Sequence, residues 1–460
     1  MRNRQTSTVR AATMVCTCAL AAAAMGVWPL PAAAQAPRVL TLVEALTTAA
    51  QSNLGLRVAV FEVTLARAQL NQAEAVRTGR LVLTGSYTRI NEREGGTIVF
   101  PAGTIPGIST TVTITIPPPT PNLYTAALTY EYPVFTGGRI ESAIALAQAN
   151  LKGAEAALER VKQQVVLDVK QAYYQVLLAQ ASIDVAVRTL ASADENLRVT
   201  RSRVAAGVSP RFDEVQAEVN QANARQSLVR ARNSAALAQH GLSAVMALPL
   251  DTAFAPRETL IVIPVRTELV ALIRRAMEAR PEMAEHQARV AAAIAAIEIA
   301  RANGRPALIL SGGPNYGNSS SGGTGSQTAT TGWSVTLSAT VPLFDGGVTS
   351  ERIREAEVRV EQLRVVEAQL RQSIELDVRR AQLNFASAAE EIVTADKIVE
   401  QAQEALRIAN VRFSAGVSTQ LEVVTAQASL SQAEGNRIQA LFNMSVARAQ
   451  LERAAGGPVD

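Results

Sequence analysis

Hydrophobic positions along this chain follow two different periods. Between residues 139 and 206, apolar side chains recur at steps of three and four: Leu158, Val161, Val165, Val169, Ala172, Val176, Ala179, Ile183, Val187 and Leu190. That spacing belongs to helices wound on one another. The run contains no proline and a single interior glycine, Gly153. It predicts a rod on the order of 100 Å long at ~1.5 Å per residue, and a second rod is expected over 348–415. Elsewhere the period is two. Tyr124, Ala126, Leu128, Tyr130 and Tyr132 alternate with Thr125, Ala127, Thr129 and Glu131. Trp333, Val335, Leu337, Ala339 and Val341 likewise alternate with Ser334, Thr336, Ser338 and Thr340. One apolar, aromatic face and one small or polar face suit a barrel wall with lipid outside and water inside. A soluble amphipathic sheet shows the same alternation but needs an apolar cover, and the helices spend their apolar stripes on one another.

Both periods occur twice. Gly207 and Gly416 lie 209 residues apart, as do Pro133 and Pro342, Gly137 and Gly346, and Asp168 and Asp377. One register carries YPVFTGGR onto VPLFDGGV, and RVAAGVSP onto RFSAGVST. Upstream, Gly79-Arg80 matches Gly304-Arg305 at 225, so the first copy holds 225 − 209 = 16 additional residues. A surface loop in the Pro/Thr/Gly-rich stretch 95–122 is the expected place for them. The expected first repeat is 35–249: a helix, strands 80–90 and 124–134, a long helix 139–206, a hairpin tip and a helix 211–247. Residues 250–266 form a linker or equatorial segment. The second repeat is 267–460: a helix, strands 305–316 and 333–343, a long helix 348–415, a hairpin tip and a helix 419–454.

Residues 1–34 read as a cleaved signal peptide, with a retained anchor as the alternative. Arg2, Arg4 and Arg10 precede an apolar run, and Ala32-Ala33-Ala34 supplies the small residues of a cleavage site. Its removal takes three Arg from the 44 basic residues, leaving 44 − 3 = 41 against 40 acids. The basic balance that would point to nucleic acid disappears with it. Both cysteines, Cys16 and Cys18, leave as well, and neither has the small preceding residue of a lipidation site. The mature chain therefore has no disulfide, thiol nucleophile or cysteine-bound metal. His240 and His286 stand far apart in no ligand spacing, and Gly322-Gly323-Thr324-Gly325 lies between strands rather than at a strand-to-helix turn. No enzyme, metal or cofactor is expected.

Four strands are too few to close a barrel, and strand edges cannot stay unpaired in hydrocarbon. Copies must therefore pool their strands, eight from two copies or twelve from three; the pattern alone leaves both open.

The paired YPVFTGGR and VPLFDGGV junctions, the paired rods and the AGVS turns resemble the TolC-like outer-membrane efflux protein family, in its non-lipidated branch. The resemblance covers essentially the whole mature chain. It implies a mixed α/β membrane fold: a homotrimer with a twelve-strand β-barrel in the outer membrane of a Gram-negative bacterium, four strands per chain. An α-helical coiled-coil tunnel continues that barrel through the periplasm. It also implies outer-membrane lipid, a periplasmic adaptor (membrane fusion) protein and an inner-membrane pump of RND, ABC or MFS type as partners. The implied function is an exit duct for efflux or type I secretion. A structural envelope-spanning coiled-coil scaffold without transport is the other reading.

At the turns, Gly207 and Gly416 are expected in the left-handed conformation that ends a helix. Ser209 and Ser418 are expected to cap the following helices, with Pro210 in a first turn. The resemblance assigns adaptor docking to Ala206, Gly207, Val208 and Ser209 together with Ala415, Gly416, Val417 and Ser418. It places Glu422, and Asp213 at the equivalent position, at a periplasmic constriction. A carboxylate near a helix N-terminus is in any case favourable by roughly 0.3–1 kcal/mol. Thr425, Phe413 and Ser418 depart from the acidic, polar and basic residues of the family, so a different latch is expected. Asp168 and Asp377 either line the tunnel or face water.

Overall fold

A computed structural model describes residues 38–91, 95–116, 122–252, 254–261, 268–320 and 327–459. The expected signal peptide, the glycine tract 322–325 and much of the second half of the linker lie outside the described residues. In chain order the elements are β1 (Arg38–Leu40), α1 (Leu42–Ser52), α2 (Leu54–Ala75), β2 (Arg80–Arg89), β3 (Gly96–Phe100), β4 (Val112–Ile116), β5 (Asn122–Phe135), α3 (Arg139–Ala205) and α4 (Arg211–Val245). There follow β6 (Phe254–Pro256), α5 (Leu269–Ala279), α6 (Pro281–Ala302), β7 (Ala307–Ser320), β8 (Gln327–Thr340), α7 (Val348–Ser414) and α8 (Gln420–Ala454).

The rods α3 and α7 are 67 residues each, and their return helices α4 and α8 are 35 each. A left-handed glycine launches each rod from the sheet: Gly138 at φ 91° and Gly347 at φ 88°. The single helix expected at the head of each repeat is a pair. Asn53 breaks the first pair, its backbone turning extended (ψ 126°) while its side chain accepts from Leu56 N. Arg280 breaks the second, and Pro281 restarts the helix where its missing N–H costs nothing.

Partway along the rods, two apolar clusters repeat one arrangement. Val169, Tyr173 and Val176 of α3 pack with Leu242 of α4 and Met246 just past its end, with Ala45 and Ala49 of α1, and with Leu40 and Phe254 of the parallel β1–β6 pair. Ile374, Val378 and Phe385 of α7 pack with Leu451 of α8 and with Leu272 and Ala276 of α5. Each fully buried Val or Leu here contributes roughly 1.5–3 kcal/mol. Beside the second cluster, buried Arg280 pairs with Glu282 at 3.0 Å and with Asp377 at 3.2 Å. Burial alone would raise the Glu282 carboxyl, but the hydrogen bond from Arg280 holds it below its ordinary value. Asp377 is thus engaged by a buried cation rather than simply solvated, while Asp168 accepts from Gln164 within its own helix at 2.7 Å.

The membrane-type sheet is antiparallel, ordered β2-β5-β7-β8. Its register sets Leu81 opposite Tyr130, Leu83 opposite Leu128, Tyr87 opposite Tyr124, and Leu310 opposite both Tyr132 and Leu337. Alternation therefore gathers one apolar, aromatic face. Thr84, Ala127, Ser86, Thr125, Ser311 and Thr336 share the other. Aromatics collect at both ends of the apolar face: Tyr130 stacks with Tyr132 near the helices, and Tyr87 meets Tyr124 at the far end, with Tyr316 opposite Ala126 and Trp333 opposite Pro314 on the neighbouring strands. Tyr124 and Tyr132 are separated along the strand by ~26 Å at ~3.3 Å per residue, comparable with the ~25 Å between the girdles of a barrel.

Two boundaries and one loop differ from expectation. β7 starts after Pro306 and continues to Ser320, and β8 starts earlier, at Gln327, and ends at Thr340, short of the 333–343 expected, because Pro342 has no N–H for the ladder. The stretch 95–122, expected as a loop, contains the hairpin β3–β4. Ile98 pairs with Ile114 and Phe100 with Val112, while Thr97 pairs with Thr115 and Val99 with Thr113. The alternating β-branched residues outweigh the flanking Pro and Gly.

Candidate functional site

Each rod ends in the same main-chain lock. Gly207 takes φ 71° and Gly416 φ 77°. Val208 N donates to Arg203 O at 3.0 Å and Gly207 N to Val204 O at 3.0 Å; Val417 and Gly416 repeat this onto Arg412 and Phe413. These are the paired hydrogen bonds of a Schellman turn. Nothing lies within 4 Å of the place a Cβ would occupy on either glycine, so only the backbone angle demands glycine there.

The capping serines are a correction. α4 has Pro210 at its N-cap and α8 has Thr419, one residue later than expected, and neither helix receives a side-chain cap. The turn uses up residues through Val208 and Val417, which leaves Ser209 and Ser418 outside the first helical turn. Ser209 instead accepts from Arg203 Nε at 3.4 Å. Ser418 Oγ is buried with no hydrogen-bond partner among the described residues. Pro210 likewise precedes the first turn rather than entering it.

Ala206, Gly207, Val208, Ala415, Gly416 and Val417 are all exposed, and Ser209 and Ser418 are half-buried. Arg203 joins the two tips. Its guanidinium lies 4.5 Å from the Phe413 ring centroid, and Nη1 donates to Phe413 O at 3.3 Å. A cation over an aromatic face at such a site contributes about 0.5–1 kcal/mol. Glu422 meets Arg412 at 3.4 Å, so its charge is partly compensated inside the chain. Asp213, at the equivalent place, forms no ion pair among the described residues, and no contact brings it to Glu422.

Three residues that shape this end were missed by the sequence reading: Arg203, Phe212 and Leu421. Phe212 is 73% exposed and Leu421 is 66% exposed. With Val208 and Val417 they give each tip a small apolar knob. The signal was present, since Phe212 and Leu421 obey the 209-residue offset. The Arg203 bridge has no local signal, because it spans the two halves.

A sheet made for lipid, carried on paired helical rods that reverse in tight hairpins, defines an envelope-spanning channel subunit. A profile of the outer membrane efflux protein family matches residues 45–248 and 272–457. Protein CyaE of Bordetella pertussis is 27% identical over 337 residues, covering 72% of this chain and 70% of that protein. The cobalt-zinc-cadmium resistance protein CzcC of Cupriavidus metallidurans is 24% identical over 419 residues, covering 91% of this chain and 90% of that one. The crystal structure of the outer membrane protein VceC of Vibrio cholerae has a TM-score of 0.71 at 21% identity, over 91% of this chain and 97% of that one. The chain belongs to the outer membrane efflux protein family, and its fold is that of the TolC-like outer-membrane channels.

Proposed function

We propose that three copies of this chain form the exit duct of a tripartite efflux or type I secretion assembly. The observation that carries this reading is the four-stranded sheet itself. It is apolar and aromatic on one face and hydroxyl-rich on the other, and it runs directly into two 67-residue rods. A scaffold without transport has no use for a wet strand face. β2 and β8 keep their outer edges unpaired in the single chain. In hydrocarbon those edges need partners, and β8 of one copy against β2 of the next closes twelve strands.

The helices support the same assembly. The strand register corrects the upstream offset from 225 to 227, since Arg80 pairs with Glu131 and Ala307 with Thr340. The 22-residue helices α2 and α6 then align Leu54 with Pro281 and Phe61 with Ala288. In α6 both positions are buried, and Ala288 lies against Gly153 of α3. In α2 Leu54 and Phe61 are each 63% exposed. α2 thus repeats α6 with one side bare, and α7 of a neighbouring copy is the surface that fits it. Leu343 and Phe344, 93% and 91% exposed, follow the same logic, since their counterparts Val134 and Phe135 lie alongside β7.

In this assembly six hairpin tips form the inner end of the tunnel. Ala206, Gly207, Val208 and Ser209 with Ala415, Gly416, Val417 and Ser418 dock a periplasmic adaptor, and Phe212 and Leu421 widen the apolar contact. Glu422 and Asp213 lie just inside, as acidic rings at the constriction, with Arg412 moderating the first. The duct is passive; an inner-membrane pump supplies the energy. Planar-bilayer recording of the purified mature protein tests this reading. Discrete single-channel currents from a trimer are expected, and a stable trimer that carries no current sinks the duct in favour of the scaffold.

A further inference from the structure

We infer that the Arg80–Glu131 pair makes the strand-lined section of the duct indifferent to the charge of what passes through it; this rests on the trimeric duct proposed above. Among the described residues, β2, β5, β7 and β8 contain only three charged side chains: Arg80, Arg89 and Glu131. Arg89 shares the alternation of Tyr87 and so belongs to the lipid side, at the end of the sheet away from the helices. Arg80 and Glu131 share the alternation of Thr84, Ser86, Thr125 and Ala127, which is the wet side.

The register makes Arg80 and Glu131 direct cross-strand partners. Arg80 Nη2 and Nε both lie 2.6 Å from the same carboxylate oxygen of Glu131. The level continues through neutral side chains, with Ser311 opposite Glu131 and Thr336 opposite Ser311. Three copies then place three cations and three anions around the helix-proximal end of the barrel, each cation bonded to an anion. Above that ring the wet face offers hydroxyls and amides such as Ser86, Thr125, Asn315 and Ser334, which hydrogen-bond passing solutes without a net field.

Stability is a weak reason for this arrangement, because an exposed ion pair contributes only about 0–1 kcal/mol. Its electrostatic consequence is larger. A ring of unpaired like charges acts over roughly 10 Å at 0.1 M salt and would bias the lumen toward one sign of ion; a self-neutralised ring does not. This section therefore admits cations, anions and neutral polar solutes alike, and any sorting by charge falls to the acidic tips or to the pump.

The test is the reversal potential of the full mature trimer in planar bilayers under a KCl gradient. Recordings in a Glu422→Gln, Asp213→Asn background keep the two acidic rings from dominating. Arg80→Gln is expected to shift permeation toward K⁺ and Glu131→Gln toward Cl⁻. Each shift is expected to be about two-fold in permeability ratio near 0.1 M salt and to vanish near 1 M. The double variant is expected to return to the parent value. Conducting single variants whose reversal potentials equal the parent's, or shift in the same direction, overturn the inference alone. A parent that passes no current overturns the duct reading, and the inference falls with it.

Discussion

The first and second halves of the molecule share a backbone and differ in what they leave bare. α6 lies against both rods of its own chain, whereas α2 packs on α3 and turns Leu54, Val58, Phe61 and Leu65 outward. β5 and β7 are paired on both sides within the chain, while β2 and β8 each keep one edge open. The packing of α6 on α3 and α7 is the completed form of the surface that α2 leaves bare. In the trimer proposed above, the contact of α6 with α3 is the internal picture of the contact between copies.

The largest effect comes from breaking that picture at α2. Phe61→Glu puts a charge where the α6 counterpart is buried, at a cost of several kcal/mol per ion. Loss of the trimer is expected from the mass of the purified protein in detergent, with Phe61→Leu retaining it. A trimer that tolerates the glutamate breaks the equivalence of α2 and α6. A smaller effect is expected at the tips. Gly207→Val and Gly416→Val each force a side chain onto a left-handed backbone, costing about 1–2 kcal/mol. With open space around both glycines the trimer is expected to persist, while cross-linking to the adaptor and efflux in cells fall. Unimpaired efflux from either variant removes that tip from the docking surface. The smallest effect sharpens the comparison. α4 ends on Ala247 at φ 54°, whereas α8 ends on Gly456 at φ 80°. Ala247→Gly is expected to stabilise the fold by up to about 1 kcal/mol in denaturant unfolding. Gly456→Ala is expected to destabilise it, since the new Cβ would come 2.9 Å from that of Ala279.

Much of this architecture was readable in advance. The step of three and four marked both rods, the step of two marked the apolar face of the sheet, and Gly207 and Gly416 marked the reversals. Each is a local pattern enforced by backbone geometry. The helix caps were misplaced because the Schellman turn consumes one more residue than a simple glycine stop, moving the caps to Pro210 and Thr419. The β3–β4 hairpin was hidden by its Pro and Gly neighbours, although Thr97 to Val99 and Thr113 to Thr115 already alternated. The Arg203–Phe413 bridge could not be seen at all, for it joins residues 210 positions apart.

The hairpin tips are closed by main-chain hydrogen bonds and a glycine angle, with no side chain of Val208, Phe212, Val417 or Leu421 needed to hold the bend. Those surfaces are consequently free to drift. Given the docking role proposed for these tips, a lineage carrying this duct can exchange one adaptor for another by repainting a few outward residues, without putting the hairpin itself at risk.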